Sequence, residues 1–202
     1  MGPAIRTEGF RREDRRLTTP EPEAPTELWP LRPRPLPGEL LSSWLVRLAR
    51  CYEMPVQTFC REVWPGQDVW RGDVDRRIED DALECLGRNT GIAYAELFSM
   101  TLRSHEQYAC PSAQNEDSIR GLYFHLGNSD HAIRFCPRCL AGGQPYYRLA
   151  WRLAFMTACS RHRQPLIECC EYCKAPCLFA NIRCAPPVRI MLSLPRIPVP
   201  HG

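Results

Sequence analysis

The chain has 202 residues, of which 44% are hydrophobic and 24% are charged, a composition typical of folded globular proteins rather than disordered or fibrous ones. Its net charge of +3 is unevenly spread, with 16 basic and 21 acidic side chains in residues 1–130 but 10 basic and 2 acidic in residues 131–202. No apolar run approaches the roughly 18 residues of a membrane span, and the start of the chain lacks the apolar stretch of a secretory signal. We therefore expect a protein of two small compact units that stays inside the cell.

Residues 1–37 contain eight prolines among arginines and glutamates, without an apolar period long enough for a helix or strand. Most of this segment is predicted to be a flexible arm. Its last part, residues 29–37, is more apolar and each proline favours extended backbone before it. This part is predicted to form a strap, either against the chain's own helices or against a partner protein.

Apolar residues recur at three- and four-residue spacing over much of residues 38–103, and this period predicts helices. The predicted helices are Leu40 to Tyr52, Val56 to Trp64, Val74 to Asn89 and Tyr94 to Met100. Asp73 is a plausible N-cap for the third helix, and Gly91 lies just beyond its end. The expected fold class is mainly α, with a helix-turn-helix-like domain before a C-terminal zinc-finger domain. A helical bundle without DNA contact fits the same pattern, and residues 104–130 are predicted to be a connector.

Two short cysteine and histidine motifs carry the strongest signal. Cys136-Pro-Arg-Cys139 is followed, after nineteen residues, by Cys159-Ser-Arg-His162. Three cysteines and one histidine are a complete tetrahedral ligand set for a structural zinc ion. Because thiols stay reduced inside cells, the twelve cysteines of the chain indicate metal binding rather than disulfides. The sequence predicts one firm Zn²⁺ site of the zinc-ribbon type in a domain over residues 131–185.

A second cysteine cluster follows directly, beginning with the pair Cys170 and Cys173. This pair predicts a second zinc site, completed by Cys184 and by either Cys177 or Cys169. The final pair that a ribbon normally has is missing, since Cys184 is followed by Ala-Pro-Pro. The second site is therefore either filled with an unusual ligand or degenerate, and residues 186–202 are predicted to be a disordered tail.

Aromatic residues at four-residue spacing lie between the first two motifs. Tyr147, Trp151 and Phe155 predict a helix or strand packed on the zinc site. Their role is predicted to be core packing rather than the stacking of nucleic-acid bases.

Four arginines near the first zinc motif are predicted to contact DNA phosphates. Arg148 and Arg152 would share a helical face one turn apart, and Arg161 and Arg163 flank His162. The basic excess of residues 131–202 favours such contacts. Arginines that are merely solvated are the alternative.

Five stretches together resemble the TniQ family, which is related to the target-selecting TnsD proteins. They are Leu36–Ala49, Gln57–Cys60, Phe135–Leu140, Tyr146–Trp151 and Cys159–Arg163. The resemblance implies an N-terminal helix-turn-helix domain, C-terminal zinc ribbons and a place in the bacterial cytoplasm. It also implies work beside a DDE transposase and an AAA+ ATPase of the TniB or TnsC kind, and in CRISPR-associated transposons a bridge from the guide complex to that ATPase.

No catalytic motif accompanies this resemblance. The chain has no phosphate-binding loop for ATP and no trio of acidic residues like that of a transposase. A zinc or thiol enzyme is disfavoured because the four predicted ligands leave no open metal position. The expected function is a non-catalytic accessory role in DNA target selection, and the alternative is a zinc-stabilised protein-protein interaction module without DNA contact.

Overall fold

The computed structural model describes residues 28–70, 72–109 and 133–169. The first part of the arm, most of the connector, the tail and Cys170, Cys173, Cys177 and Cys184 lie outside these residues, so the predictions made for them stay predictions. The described helices are α1 (Leu41–Cys51), α2 (Val56–Val63), α3 (Val74–Arg77), α4 (Asp80–Thr90), α5 (Tyr94–Ser99), α6 (Arg103–Ala109) and α7 (Pro137–Ala141), with a 3-10 helix at Leu149–Arg152. Extended pairing in these ranges consists of isolated antiparallel bridges. The mainly helical fold class is confirmed.

Helix α1 lies at the centre of the helical unit, by which we mean the described residues 28–109. Apolar residues at helical spacing lie along one side of a helix, but residues 41–49 of α1 are all buried, including Ser42, Ser43 and Arg47. The apolar side packs on residues of α2 to α5, whereas the polar side chains have hydrogen-bonding partners in other segments. Buried polar groups need such partners. The polar side of α1 is therefore as much a part of the interior as its apolar side.

The described part of the predicted strap lies against the chain's own helices. Trp29 packs edge-on against Tyr52 and Phe59, with ring centroids 6.3 and 5.6 Å away. The indole nitrogen of Trp44 donates a hydrogen bond to the Pro33 carbonyl at 2.8 Å. This packing leaves Trp29 partly buried, so the strap closes the helical core.

The prediction of a single helix from Val74 to Asn89 is wrong. Helix α3 ends at Arg77, Ile78 is extended with a ψ of 130°, and α4 begins at Asp80. Ile78 is buried, and its carbonyl accepts a hydrogen bond from Arg103, so tertiary contacts replace a helical bond at the break. The apolar spacing continues across this break and therefore concealed it.

The ends of the next helices agree with the sequence in part. Gly91, with a φ of 71°, ends α4 in the left-handed conformation that glycine favours, as predicted. Helix α5 lies where it was expected, but α6 occupies a stretch assigned to the connector. None of the helices in the described ranges combines the length and apolarity that crossing a membrane requires.

Candidate metal centre

Short backbone pairings bring the two cysteine and histidine motifs together. Phe135, just before the first motif, exchanges two backbone hydrogen bonds with Ile167 at 2.9 and 3.0 Å. The second motif is a tight turn in which the Cys159 amide donates to the Gln164 carbonyl and the Arg163 amide donates to the Cys159 carbonyl. We call residues 133–169 the metal unit. These bonds place α7, which carries Cys139, beside the turn that carries His162.

The structure brings the four predicted ligands of the first site together. Their ligand atoms all lie within 4.8 Å of one another. His162 Nδ1 lies 3.2 Å from Cys139 Sγ and 3.4 Å from Cys136 Sγ, and the Sγ atoms of Cys139 and Cys159 are 3.6 Å apart. Tetrahedral zinc, about 2.3 Å from sulfur and 2.0 Å from nitrogen, puts its ligand atoms about 3.5–3.8 Å apart. The cluster therefore has the size that a metal ion of this kind needs.

Neighbouring groups donate hydrogen bonds to the sulfur atoms of the site. The side-chain amide nitrogen of Gln164 donates a hydrogen bond to Cys136 Sγ at 3.2 Å, and the backbone amide of His162 donates one to Cys159 Sγ at 3.4 Å. Such donors stabilise thiolates and orient metal ligands. The sequence analysis missed Gln164, whose signal was its place two residues after the predicted ligand His162.

The electrostatics of the site suit a cation. The pKa of the Cys139 thiol is raised to about 12, mainly by burial and to a smaller extent by the neighbouring Cys159 and Cys136. The pKa of His162 is lowered, mainly by loss of hydration and further by the positive charges of Arg138, Arg161 and Arg148. The neutral form of the ring is therefore favoured. Adjacent thiolates repel one another unless a cation lies between them, and a metal ligand histidine must be neutral. The cysteines of the site are free rather than paired in disulfides.

The core of the metal unit corrects one prediction. Tyr147 and Trp151 are buried and pack edge-to-face with centroids 6.0 Å apart, whereas Phe155 is 69% exposed. Residues 149–152 form a 3-10 helix of about three residues per turn, followed by extended backbone at Leu153. The four-residue spacing therefore does not keep Phe155 on the same side as the other two rings.

The metal unit joins the helical unit through a short backbone seam. The Leu40 amide donates to the Tyr147 carbonyl, and the Leu149 amide donates to the Gly38 carbonyl, both at 2.9 Å. Gly38 has a φ of 66°, a conformation that glycine adopts without strain. The segment before α1 and the segment before the 3-10 helix thus form one antiparallel bridge.

The structure contradicts the predicted role of Arg152. Its side chain is 1% exposed, and its guanidinium bonds to Asp73 Oδ2 at 2.5 Å and to Asp75 Oδ2 at 3.1 Å. Asp73, predicted as an N-cap, makes no capping hydrogen bond and pairs with this arginine instead. Arg148 is half-buried over the Tyr146 ring, 4.6 Å from its centroid. Because the backbone is not α-helical here, the two arginines do not share a face, and Arg152 is not available to a phosphate.

The other arginines form a surface that we call the basic rim, made of Arg138, Arg148, Arg161 and Arg163. Arg138, Arg161 and Arg163 are exposed. Arg138, Arg148 and Arg161 all lie close enough to His162 to lower its pKa. Arg138 was not predicted, although its position inside the first cysteine motif was a usable signal. Three of the four rim arginines therefore lie near the histidine of the candidate metal centre.

A helical unit is fixed to a small metal unit with a Cys₃His cluster that could hold a metal ion. The family model described as TniQ matches residues 30–166, and the chain belongs to the TniQ family. A comparison with curated proteins gave no match. The resemblance inferred from the sequence is confirmed, and the family assignment indicates an accessory protein of transposition.

Proposed function

We propose that this chain is a non-catalytic transposition accessory protein that takes part in DNA target selection. In this role it links target DNA, or a targeting complex such as a CRISPR guide complex, to the AAA+ ATPase and the transposase. The observation that supports the proposal most directly is the TniQ match across the strap, the helical unit and nearly all of the metal unit. The candidate metal centre agrees with it, because four protein ligands leave no position for a reacting water molecule.

The metal that fits this site is Zn²⁺. Three thiolates and one imidazole in a tetrahedron are a ligand set that zinc favours and that magnesium or calcium does not. Cys136, Cys139, Cys159 and His162 would hold the ion, which would fix the two motifs to each other. Its role is structural, since the chain supplies the complete ligand shell.

Contact with DNA is assigned to the basic rim. Within residues 133–169 the chain has six arginines but one acidic residue, Glu168. Arg152 and Arg134 are buried, so the remaining four arginines form the positive surface. Even with a Cys₃His zinc site carrying a formal charge of about −1, this surface stays positive. Contacts to phosphates carry no sequence information, so binding through phosphate contacts at the rim is expected to be independent of sequence.

Salt dependence of DNA binding tests the rim. In the double variant Arg138→Ala, Arg161→Ala, we expect weaker binding to all sequences. Its plot of log affinity against log salt should be shallower by about 2, since each lost phosphate contact removes about 0.9. Arg88→Ala, an exposed arginine of α4, is the matched control and should keep the original slope. An unchanged slope in the double variant, or an equal change in the control, contradicts the assignment.

Capture of the ATPase tests the adaptor role. We expect the full-length protein to retain the AAA+ ATPase of its transposon, and we expect deletion of residues 1–27 to weaken capture if the arm is the docking segment. Residues 28–37 are kept because Trp29 and Pro33 contact the helical core. No capture by the full-length protein contradicts the adaptor role. Equal capture by both forms contradicts only the role of the arm.

The same two experiments separate the proposal from its alternative. Capture of the ATPase together with no DNA binding at any salt concentration would favour a zinc-stabilised protein-protein interaction module. DNA binding with the expected loss of salt dependence would favour direct contact with the target.

A further inference from the structure

Arg152 joins three separate segments of the chain in the interior. It belongs to the 3-10 helix of the metal unit and pairs with Asp73 and Asp75 of the helical unit. Asp75 in turn accepts two hydrogen bonds from Ser42, one from the backbone amide and one from the hydroxyl, both at 2.8 Å. Asp75 is 2% exposed. A continuous line of charged and polar contacts therefore runs from the metal unit to the first turn of α1.

The neighbouring residue connects Arg152 to the candidate metal centre. Trp151 is 2% exposed and belongs to the same buried cluster as Cys136 and Cys159. Trp151 and Arg152 are consecutive in a 3-10 helix, so one side chain packs under the metal site and the other enters the helical unit. A movement of Trp151 would shift the backbone that holds Arg152.

The Ser42 amide is a direct reporter on this connection. It is one of the first amides of α1, and such amides have no carbonyl partner within their own helix. Its partner is the Asp75 carboxylate. If Arg152 leaves, Asp75 remains as a buried carboxylate next to Asp73 without a cation, an arrangement that is strongly unfavourable. Asp75 would then take up a proton or move toward water, and either change weakens its hydrogen bond with the Ser42 amide.

We propose that Arg152 is a positioning residue that couples the occupancy of the Cys₃His site to the start of α1. With metal bound, Trp151 is held in the core, Arg152 holds Asp75, and Asp75 holds the first turn of α1. Without metal, the core under Trp151 loosens and the first turn of α1 loses its partner. The inference needs a metal at this site but does not need contact with DNA.

Hydrogen exchange of the full-length protein, with and without a chelator, tests the coupling. In the wild-type protein, chelation is expected to accelerate exchange of the Ser42 amide by about 100-fold, as expected for the loss of a buried ion pair. In Arg152→Met, the same amide is expected to exchange fast even with metal bound, so that chelation adds little. Amides of α4 residues 86–90, which bond within their helix, serve as the internal reference and should change less than Ser42.

A second variant and a metal assay keep the outcomes distinct. Arg152→Lys retains the positive charge but carries its N–H donors on a single nitrogen, so it cannot bond to both aspartates as the planar guanidinium does. The exchange rate of the Ser42 amide in this variant should therefore lie between those of the wild type and Arg152→Met. One equivalent of metal in every variant, with no response of the Ser42 amide to chelation in the wild-type protein, would overturn the coupling alone. Absence of metal from the wild-type protein would overturn the zinc site as well. A variant that retains metal and wild-type exchange at Ser42 would also contradict the role of Arg152.

Discussion

Substitution of Cys159 by serine is expected to abolish metal binding at the Cys₃His site and to unfold residues 133–169. Serine is a poor ligand for zinc, and the three remaining ligands leave the shell open. Binding of a structural zinc contributes about 10–16 kcal/mol in small domains, and this free energy is largely folding free energy. The small core around Trp151 cannot replace a contribution of that size. Metal analysis and hydrogen exchange of residues 133–169 measure the two effects.

Cys51→Ser is the matched control for this prediction. Cys51 is a free, half-buried cysteine of α1. Its thiol donates a hydrogen bond to the Arg47 carbonyl and is not part of the Cys₃His site. The control should keep its metal and its exchange pattern. A metal unit that stays folded after metal removal would contradict the structural role of the ion. A second equivalent of metal that is lost in Cys170→Ser would identify the second cluster as a filled site.

Substitution of Glu39 by alanine is expected to lower the free energy of unfolding by about 3–5 kcal/mol, the usual cost of removing one partner of a buried ion pair. Glu39 is 1% exposed, and its carboxylate accepts hydrogen bonds from Arg47, Ser43 and the Leu36 amide. Arg47 is 9% exposed and would remain as an unpaired cation. Urea denaturation at neutral pH measures the loss. Glu62→Ala, an exposed glutamate of α2, is the control and should change stability by less than about 0.5 kcal/mol.

The pH dependence of the Glu39 effect has a definite sign. Burial raises the pKa of Glu39 above its ordinary value of 4.5, and the attraction of Arg47 opposes this shift. The folded state therefore binds the proton more tightly than the unfolded state, and this group makes folding less favourable as pH rises above 4.5. Glu39→Gln lacks that titration. The free energy of unfolding of the wild-type protein should therefore fall relative to that of Glu39→Gln as pH rises above 4.5, and a relative rise would contradict this sign.

The sequence predicted those features that depend on local spacing. The ligands of the first site follow from two short motifs, and α1 and α2 follow from strong apolar periods. The burial of Arg152 could not be predicted in this way, because Asp73 and Asp75 lie 79 and 77 residues earlier in the chain. The break at Ile78 was hidden for a related reason, since tertiary contacts rather than the local pattern determine it.

The stretch Leu36–Ala49, one of the five that resemble the TniQ family, also has a structural explanation. Within Leu36–Ala49, the Gly38 carbonyl and the Leu40 amide form the seam with the metal unit. Ser43 Oγ accepts a hydrogen bond from the Tyr147 amide at 3.0 Å. Gly38, Leu40 and Ser43 thus each make a hydrogen bond with the metal unit. This stretch therefore contributes both to the helical core and to the seam with the metal unit.

The seam has a consequence for the order in which the protein is made. The bond between Ser43 and Tyr147 joins residues 104 positions apart. Synthesis at about 5–20 residues per second separates their emergence from the ribosome by roughly 5–20 s. Throughout this interval the nascent α1 lacks its later partners, and the side awaiting them carries Glu39 and Ser43 together with the apolar Leu40, which packs on Leu149 in the finished fold. Water can solvate the two polar side chains until the rest of the chain arrives, whereas Leu40 gains its cover from the metal unit only after Leu149 has been synthesised.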